Sequence, residues 1–511
     1  MMKEELLPKS TSFRAMRALA ASGMALALSA CAVGPDYQRP AMDLGQAYKQ
    51  SSSALQAAVV DAGVNPGWIP AASSAPLRGD WWLLFDDPML SGLMRDLNSA
   101  NLNIAQAEAQ YRQAQAQLQG ARAGFFPTVG ASSSASRSGT GSAGSSSGSS
   151  SVSNQYSLSG TVSWEPDLWG RISRTVEAGE AGLQAGGADL AATRLSMQST
   201  LAQTYFDLRV TDAERRLLQQ TVQAYTQSLA LTRNRYDAGI AAQADIETST
   251  AQLENARAQA LALDRQRAQL ENAIAVLLGR TPAEFSLPET TVAARVPVVP
   301  VELPSELLLR RPDVIAAERR TAQANARIGV AQAAWFPNLA LTAQGGFRSG
   351  QWAQWLTAPA SFWSLGPALA LTIFDGGARE AQLREARAAY DAQAANYRQT
   401  ALTALREVED YLVQLSVLGH EQVVQGRALA AARESLRLTQ NQYQAGLIDY
   451  LSVVQVETTA LNAERSALAL VAGRLAASVQ LIAALGGGWN PEAGTAGPVP
   501  VQEPGAETPP L

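Results

Sequence analysis

Few side chains in this sequence have the types and spacing that catalysis requires. His420 is the only histidine, so a Ser-His-Asp triad or a zinc site would depend on it alone, and it lies within a long helical pattern. The string GSSSG from Gly144 matches the spacing of a nucleophile elbow, but it lies in a serine-rich loop and has no partner histidine. We therefore predict no enzymatic activity, no cofactor and no metal site.

Charge and motif content argue against two further classes. The chain has 40 Lys and Arg and 45 Asp and Glu, a formal net charge of −5, without a basic run that could neutralise phosphates. No nucleic-acid partner is therefore predicted. The sequence also has no GxxxxGK[ST] loop for nucleotide phosphates, so nucleotide energy for any transport must come from another protein.

Cys31 is the only cysteine, which excludes a disulfide within the chain. It follows an apolar run, ALAASGMALALSA, that is preceded by basic residues and predicts a signal peptide over residues 1–30. The ending LSAC resembles a bacterial lipobox, in which cleavage leaves the cysteine as a lipid-bearing N-terminus. We therefore predict Cys31 as a palmitate-bearing anchor, with an ordinary buried thiol after a cleavable signal as the alternative. By the same resemblance, Ala32 at the next position, where an Asp would favour retention in the inner membrane, indicates the outer membrane.

One turn occurs twice in the chain. Tyr236 precedes Gly239 by three residues, and Tyr443 precedes Gly446 by the same distance, 207 residues further on. Other landmarks recur in the same order: ARAGFFPTV and AQAAWFPNL, then SLALT and SLRLT. This spacing is too long for a solenoid repeat and indicates two large homologous halves.

Each repeated turn joins two predicted helices. Residues 171–238 and 378–445 are rich in Ala, Gln, Leu, Arg and Glu with apolar residues at helical spacing, and return helices are predicted over 244–278 and 451–485. A 68-residue helix is about 100 Å long, which implies a coiled coil or a helical tube. The repeated turns are therefore predicted as the tips of two helical hairpins.

Strand alternation precedes each long helix. We predict strand hairpins at about 127–166 and 338–374, four strands per chain. No run of 18 apolar residues follows the signal, so no transmembrane helix is expected and any membrane crossing must use strands. Four strands cannot close a barrel, and open edges are not tolerated in lipid, so three chains would share twelve strands. Aromatic residues at the two strand ends predict membrane girdles, with ordinary anchors of a soluble sheet as the alternative: Phe125, Phe126, Trp164, Trp335, Phe336, Trp352, Trp355 and Trp363.

The sequence resembles the outer-membrane factor family of TolC-like efflux channels, more narrowly its OprM/NodT-type lipoproteins. The matching motifs run from residue 31 to about 489: CAVGPDYQRP, WWLLFDDPML, LLLRRPDVIAAE, IGVAQAAWFPNL, IFDGG, YQAGLIDYLSVVQ and ALGGGW. The resemblance implies a mainly α fold with a small β part. It implies a homotrimer whose twelve-stranded outer-membrane barrel continues into a periplasmic tube of helices closed by coiled-coil tips.

The resemblance also implies a domain order, which divides the chain into six segments. These are a signal peptide (1–30), a lipid-anchored segment and equatorial belt (31–88), a first repeat (89–279), an equatorial connection (280–310), a second repeat (311–486) and a Pro/Gly-rich tail predicted to be disordered (487–511).

The function expected from the resemblance is a passive exit duct for small molecules such as drugs or toxic compounds. Its expected partners are a periplasmic adaptor protein, an inner-membrane transporter of the RND type and the lipid of a Gram-negative outer membrane. A type I protein-secretion duct and a trimeric surface adhesin without a pore are the alternatives.

The tips suggest a periplasmic gate. In a trimer, Asp449 or Asp245 would form a ring of carboxylates at the narrow end, although either could be only a helix cap. The second tip is bulkier than the first, which favours Leu447, Asp449 and Tyr450 as the constriction.

Overall fold

The computed structural model describes residues 33–42, 48–49, 68–70, 79–140, 151–290, 296–301 and 310–489. The predicted signal peptide, Cys31, residues 141–150 of the serine-rich loop and residues 490–511 of the tail lie outside this part of the chain. The described α-helices are α1 (Pro88–Ala100), α2 (Leu102–Ala123), α3 (Arg171–Asp237), α4 (Gln243–Leu277), α5 (Pro312–Ala333), α6 (Ala378–Gln444) and α7 (Tyr450–Ala484). The described strands are β1 (Trp68–Pro70), β2 (Thr128–Thr140), β3 (Ser151–Trp164), β4 (Val299–Val301), β5 (Asn338–Ser349) and β6 (Ser361–Ala370).

The chain forms two compact units, each built from three segments. The first comprises Met1–Pro40, Arg112–Ala185 and Ala317–Tyr397. The second comprises Ala41–Tyr111, Gly186–Ala316 and Arg398–Leu511. Strands β2, β3, β5 and β6 belong to the first unit, and both helical hairpin turns belong to the second.

The four strands of the first unit form one antiparallel sheet in the order β2-β3-β5-β6. The second hairpin was predicted to extend to about residue 374, but β6 ends at Ala370, whose partner is Asn338. Pro337 precedes Asn338 and has no N–H to continue the ladder, which explains the earlier end. The sheet leaves β2 and β6 as its edges, because each pairs with a single neighbour within the described strands.

One face of this sheet is polar and the other is mostly apolar. On the polar face, cross-strand hydroxyl pairs join Ser132 to Ser159 and Ser134 to Ser157, with Oγ–Oγ distances of 3.0 and 2.7 Å. The register places Phe347, Leu365 and other apolar side chains on the opposite face. This alternation is typical of strands that separate water from lipid.

The two helical hairpins turn at glycines. Helix α3 spans Arg171–Asp237 where the sequence predicts 171–238, and α6 spans Ala378–Gln444 where it predicts 378–445. Gly239 and Gly446 have φ of 72° and 78°, a left-handed conformation that stops each helix. The return helices α4 and α7 then start within four residues of these glycines.

The motif WWLLFDDPML builds a separate aromatic core in the second unit. Phe85 lies 4.9 Å from Phe206 between ring centroids, and Trp81 lies 6.3 Å from Phe85. Asp87 caps α1 by accepting from the backbone N–H groups of its first turn, and it accepts a hydrogen bond from the Tyr205 hydroxyl at 2.7 Å. In the same unit β1 pairs in parallel with β4, so the segment before α1 contacts the connection between the repeats.

By length and composition, helix α7 could cross a membrane. One 18-residue window of Tyr450–Ala484 has a mean hydropathy of 1.8, so this helix passes a composition test for a membrane span although it contains no uninterrupted run of 18 apolar residues. The polar residues within α7, Arg474 among them, interrupt the apolar run and hid it from a search for uninterrupted apolar stretches. Within the folded chain 44% of the window is buried, and the buried core helix of a soluble protein passes the same test. Helix α7 is the return arm of the second hairpin.

Candidate functional site

The two hairpin tips share one backbone motif. At the first tip, Gly239 N–H donates to the carbonyl of Tyr236 at 2.8 Å and the next N–H donates to the carbonyl of Arg235 at 2.8 Å. At the second tip, Gly446 N–H donates to the carbonyl of Tyr443 at 2.9 Å, and Leu447 N–H donates one residue further back at 2.9 Å. Both are Schellman turns, which require a residue with positive φ. The repeated glycines are therefore explained by backbone geometry.

The tip carboxylates occupy different capping positions. Asp449 is the N-cap of α7 and accepts from the backbone N–H of Ser452 at 3.0 Å and from the same residue's hydroxyl. These two hydrogen bonds, the hydroxyl contact foremost, lower the pKa of Asp449. Asp245 lies within the first turn of α4 and accepts from Ala242 N–H at 3.1 Å. Both carboxylates thus cap helices, and their assignment to a ring at the gate stays a prediction.

The other two predicted gate residues point in different directions. The Leu447 side chain is 74% exposed, whereas Tyr450 is 2% exposed. Tyr450 packs against Tyr443, with ring centroids 5.7 Å apart, and its hydroxyl accepts from Ser228 Oγ at 3.4 Å. In this chain Tyr450 therefore joins the two hairpins, and it does not extend into solvent.

Three residues of α3 complete this contact. Thr232 Oγ1 lies 3.3 Å from the Tyr443 hydroxyl. The Arg235 guanidinium lies 4.6 Å from the centroid of the Tyr443 ring and donates to the Tyr443 carbonyl at 2.7 Å. Neither Thr232, Arg235 nor Ser228 was predicted as a site residue. Ser228 and Thr232 begin and end the recurring SLALT sequence, so the recurrence of this sequence could have marked them as candidate site residues.

Glu457 is a buried carboxyl close to the second tip. Glu457 is 6% exposed, and its Oε2 has no hydrogen-bond partner among the residues that the structure describes. Burial raises the pKa of Glu457 to about 7, while a hydrogen bond from Gln440 of α6 opposes the increase. The negative charge of Glu457 contributes to raising the pKa values of two nearby tyrosines, Tyr225 of α3 and Tyr450. A carboxyl with these properties changes charge near neutral pH.

The predicted girdle aromatics lie at the two ends of the sheet. Phe125, Phe126, Trp164, Trp335 and Phe336 flank the ends that join the long helices, and Trp352, Trp355 and Trp363 lie at the opposite ends. At the first end, Trp164 Nε1 donates to the Phe125 carbonyl at 2.9 Å, and Phe336 stacks on Trp169 at 4.9 Å between centroids. At the other end, Trp352 contacts Trp355 and Tyr156 at 5.0 and 5.3 Å between centroids.

The segment after Cys31, residues 33–39, is held against α3 and α5 within the first unit. Arg174 is its main contact, donating to the carbonyls of Val33 and Gly34 and to the Asp36 carboxylate at 3.0–3.2 Å. The Tyr37 hydroxyl donates to Glu318 at 2.7 Å. A Cβ on Gly34 would lie 2.5 Å from the Cα of Gly329, so the segment requires glycine at this crossing. The predicted lipid anchor thus precedes a firmly attached segment.

Of the residues considered for catalysis, only His420 belongs to the described part of the chain. His420 is exposed on α6, and Gly144 lies outside the described residues. Within the described ranges, no group of three or more His, Cys, Asp and Glu side chains is placed to hold a metal ion.

Known proteins resemble this chain over most of its length. A family model described as outer membrane efflux protein matches residues 93–280 and 303–487. The probable efflux pump outer membrane protein TtgC of Pseudomonas putida is 31% identical over 95% of this chain and 97% of its own. Outer membrane protein OprJ of Pseudomonas aeruginosa is 31% identical over 91% of this chain and 95% of its own.

Solved structures agree with these sequence relatives. The outer-membrane channel OprN superimposes with a TM-score of 0.81 and 30% identity, covering 90% of this chain and 100% of that one. The open state of the MtrE outer membrane channel of Neisseria gonorrhoeae gives a TM-score of 0.76 and 27% identity, covering 90% and 99%. The long helical hairpins combined with a small sheet are thus the architecture of known outer-membrane channels.

The chain belongs to the outer membrane efflux protein family. It is an outer-membrane component of a Gram-negative efflux system, and the predicted fold class, family and location are confirmed.

Proposed function

We propose that three copies of this chain form a passive exit duct, which carries small molecules such as drugs or toxic compounds from the periplasm to the exterior without catalysis. The observation that carries the proposal is the sheet of the first unit. It has one polar face, one mostly apolar face and two edges without partners among the described strands. Such a sheet is suited to lining a water-filled lumen with its polar face.

The edges support a trimer. In a bilayer each unpaired N–H and C=O would cost several kcal/mol, so β2 of one copy must pair with β6 of the next. Strand β2 runs antiparallel to β3, and β6 runs antiparallel to β5. Pairing β2 with β6 of the next copy therefore keeps the alternating strand directions of a closed barrel. Three sheets of four strands then complete twelve strands.

The names of the relatives support the proposed partners. Relatives such as TtgC and OprJ carry the names of efflux-pump or outer-membrane proteins. A duct of this kind has no energy source of its own, so we propose a periplasmic adaptor and an RND-type inner-membrane transporter as partners. The hairpin tips, with the exposed side chains of Leu447 and Ile240, are the proposed point of engagement.

Conductance of the purified full-length protein in planar lipid bilayers tests this proposal. We expect discrete channels, mostly closed at rest, whose current reverses with the imposed ionic gradient. The absence of any conductance from preparations that insert into the bilayer would contradict a pore and favour the adhesin alternative. A conducting channel whose gene deletion leaves drug export unchanged but stops release of a protein would favour the protein-secretion duct.

A further inference from the structure

The polar face of the sheet carries one charged residue in the described strands. Thr, Ser, Gln, Asn, Gly and Ala make up almost all of this face in the described strands, and the register adds one cation, Arg348, and one aromatic ring, Phe362. Arg348 of β5 pairs with Ser157 of β3, whose hydroxyl contacts that of Ser134 on β2. The apolar side chains of the neighbouring Phe347 and Trp363 lie on the other face.

The guanidinium of Arg348 is held over the ring of Phe362. The distance from its Cζ to the ring centroid is 4.8 Å, within the range of a cation–π contact. The two residues are diagonal neighbours on β5 and β6, because Phe362 pairs directly with Gly346. Gly346 has no side chain, so nothing separates the ring from the guanidinium.

Among the described residues, no acidic partner balances the charge of Arg348. Within the described part of the chain no carboxylate forms an ion pair with it, whereas other arginines close to the sheet are paired: Arg171 with Glu165 and Arg379 with Asp375. Arg348 is exposed on its strand. An exposed guanidinium fixed on an aromatic surface, among hydroxyl donors, is a site that attracts anions.

The position of Arg348 along the strand places this charge at one end of the sheet. β5 starts at Asn338, next to the girdle aromatics that join the long helices, and Arg348 is its penultimate residue. The loop that follows contains Trp352 and Trp355. In the proposed channel this is the extracellular end, so each copy contributes one cation to the outer part of the lumen.

We propose that Arg348, supported by Phe362, is a specificity-determining residue of the outer lumen, which favours the exit of small anions and of organic anions with aromatic rings. The inference rests on the proposed channel and adds a charge preference to it. Three guanidinium groups around one lumen attract anions and repel cations, as charged rings do in selective pores. Aromatic anions gain additional contact with the ring that supports the guanidinium.

The test uses reversal potentials of the full-length protein in planar bilayers under a KCl gradient. Arg348→Gln should raise the ratio of potassium to chloride permeability by about threefold relative to the unmodified protein, and R348E should raise it further. R348K retains the charge and should stay close to the unmodified protein. The comparison is relative, because carboxylates at the hairpin tips contribute equally to every variant.

Arg137 provides the matched control. It is an exposed arginine of β2 whose position in the register is on the opposite face of the sheet from Arg348. R137Q removes the same charge and should leave the permeability ratio unchanged. The difference between R348Q and the unmodified protein should also shrink at 1 M KCl, where the Debye length is about 3 Å.

The outcomes separate this inference from the proposed function. Conducting R348Q channels with the permeability ratio of the unmodified protein would overturn the role of Arg348 and leave the channel intact. An equal shift in R137Q would also overturn it, because the effect would then not depend on the face. An unmodified protein that never conducts would instead contradict the proposed channel.

Discussion

Single residues at the hairpin tips have roles that their sequence neighbourhood does not reveal. Tyr443 and Tyr236 occupy equivalent places in the repeated turn, yet Tyr443 is 6% exposed and Tyr236 is 42% exposed. The difference arises because Tyr443 packs against Tyr450 and under Arg235, and so joins the two hairpins. The two copies of the turn therefore place equivalent tyrosines in different environments, one buried between the hairpins and one exposed.

Glu457 should make the stability of the tip depend on pH. Its pKa is about 7 in the folded chain against 4.5 for an unperturbed glutamate. The folded state therefore binds the proton more tightly, so the stabilisation is complete below about pH 4.5 and is lost as pH rises through 7. A shift of this size corresponds to about 3 kcal/mol. Thermal unfolding midpoints should fall between pH 5 and pH 8.

Glu457→Gln is neutral at every pH and should remove most of this decrease. Glu434→Gln is the control, because Glu434 is an exposed carboxylate that pairs with Arg437, and both residues are on α6. The E434Q variant should keep the pH dependence of the unmodified protein. If E457Q and the unmodified protein lost stability equally between pH 5 and pH 8, another group would have to be responsible.

Among the elements, the second hairpin carries the predicted gate. Leu447 and Asp449 lie at the surface of its tip, while Tyr450 holds the tip against α3 through Ser228. The predicted gate would therefore combine exposed residues at the constriction with a buried contact that keeps the tip in place. We expect opening to require separation of the Tyr450 contact, since the rest of each hairpin is continuous helix.

The double variant D449A/Y450A should raise resting conductance and vancomycin uptake, and should weaken any cation preference of the closed end. Loss of the Asp449 cap costs about 1 kcal/mol, and loss of the buried Tyr450 ring removes the contact between hairpins. Y236A, which truncates the exposed tyrosine of the first tip, is the matched control and should leave conductance unchanged. A correctly assembled double variant that remains as closed and as selective as the unmodified protein would exclude these residues as the gate.

The elements were accessible from sequence because their signals are local. Helical spacing, Ala-rich composition and the tip glycines defined α3 and α6 to within one residue. The burial of Tyr450, the Arg348–Phe362 contact and the burial of the Glu457 carboxyl were not accessible, because each depends on residues of different helices or strands. The end of β6 at Ala370 depended on its partner strand, which a pattern within one segment does not contain.

At the scale of the whole molecule, we propose that one chain is an incomplete channel. The described sheet ends in β2 on one side and β6 on the other. Family membership explains the fold and the location. In the proposed trimer, the edges that have no partner among the described strands pair between copies. In that proposed trimer, the polar face with Arg348 would line a lumen surrounded by the strands of three copies.

Cross-linking in native membranes tests this claim most directly. Cysteines at Ser132 of β2 and Ser364 of β6 lie on the same face but at opposite edges of the sheet, so a short bismaleimide should join neighbouring copies and give a covalent trimer on denaturing gels. The S132C/S159C control should react within one chain, because these serine hydroxyls are 3.0 Å apart, and remain monomeric. A covalent trimer from S132C/S364C is the predicted result. Monomer alone, in membranes where the control pair reacts, would contradict a barrel shared by three chains.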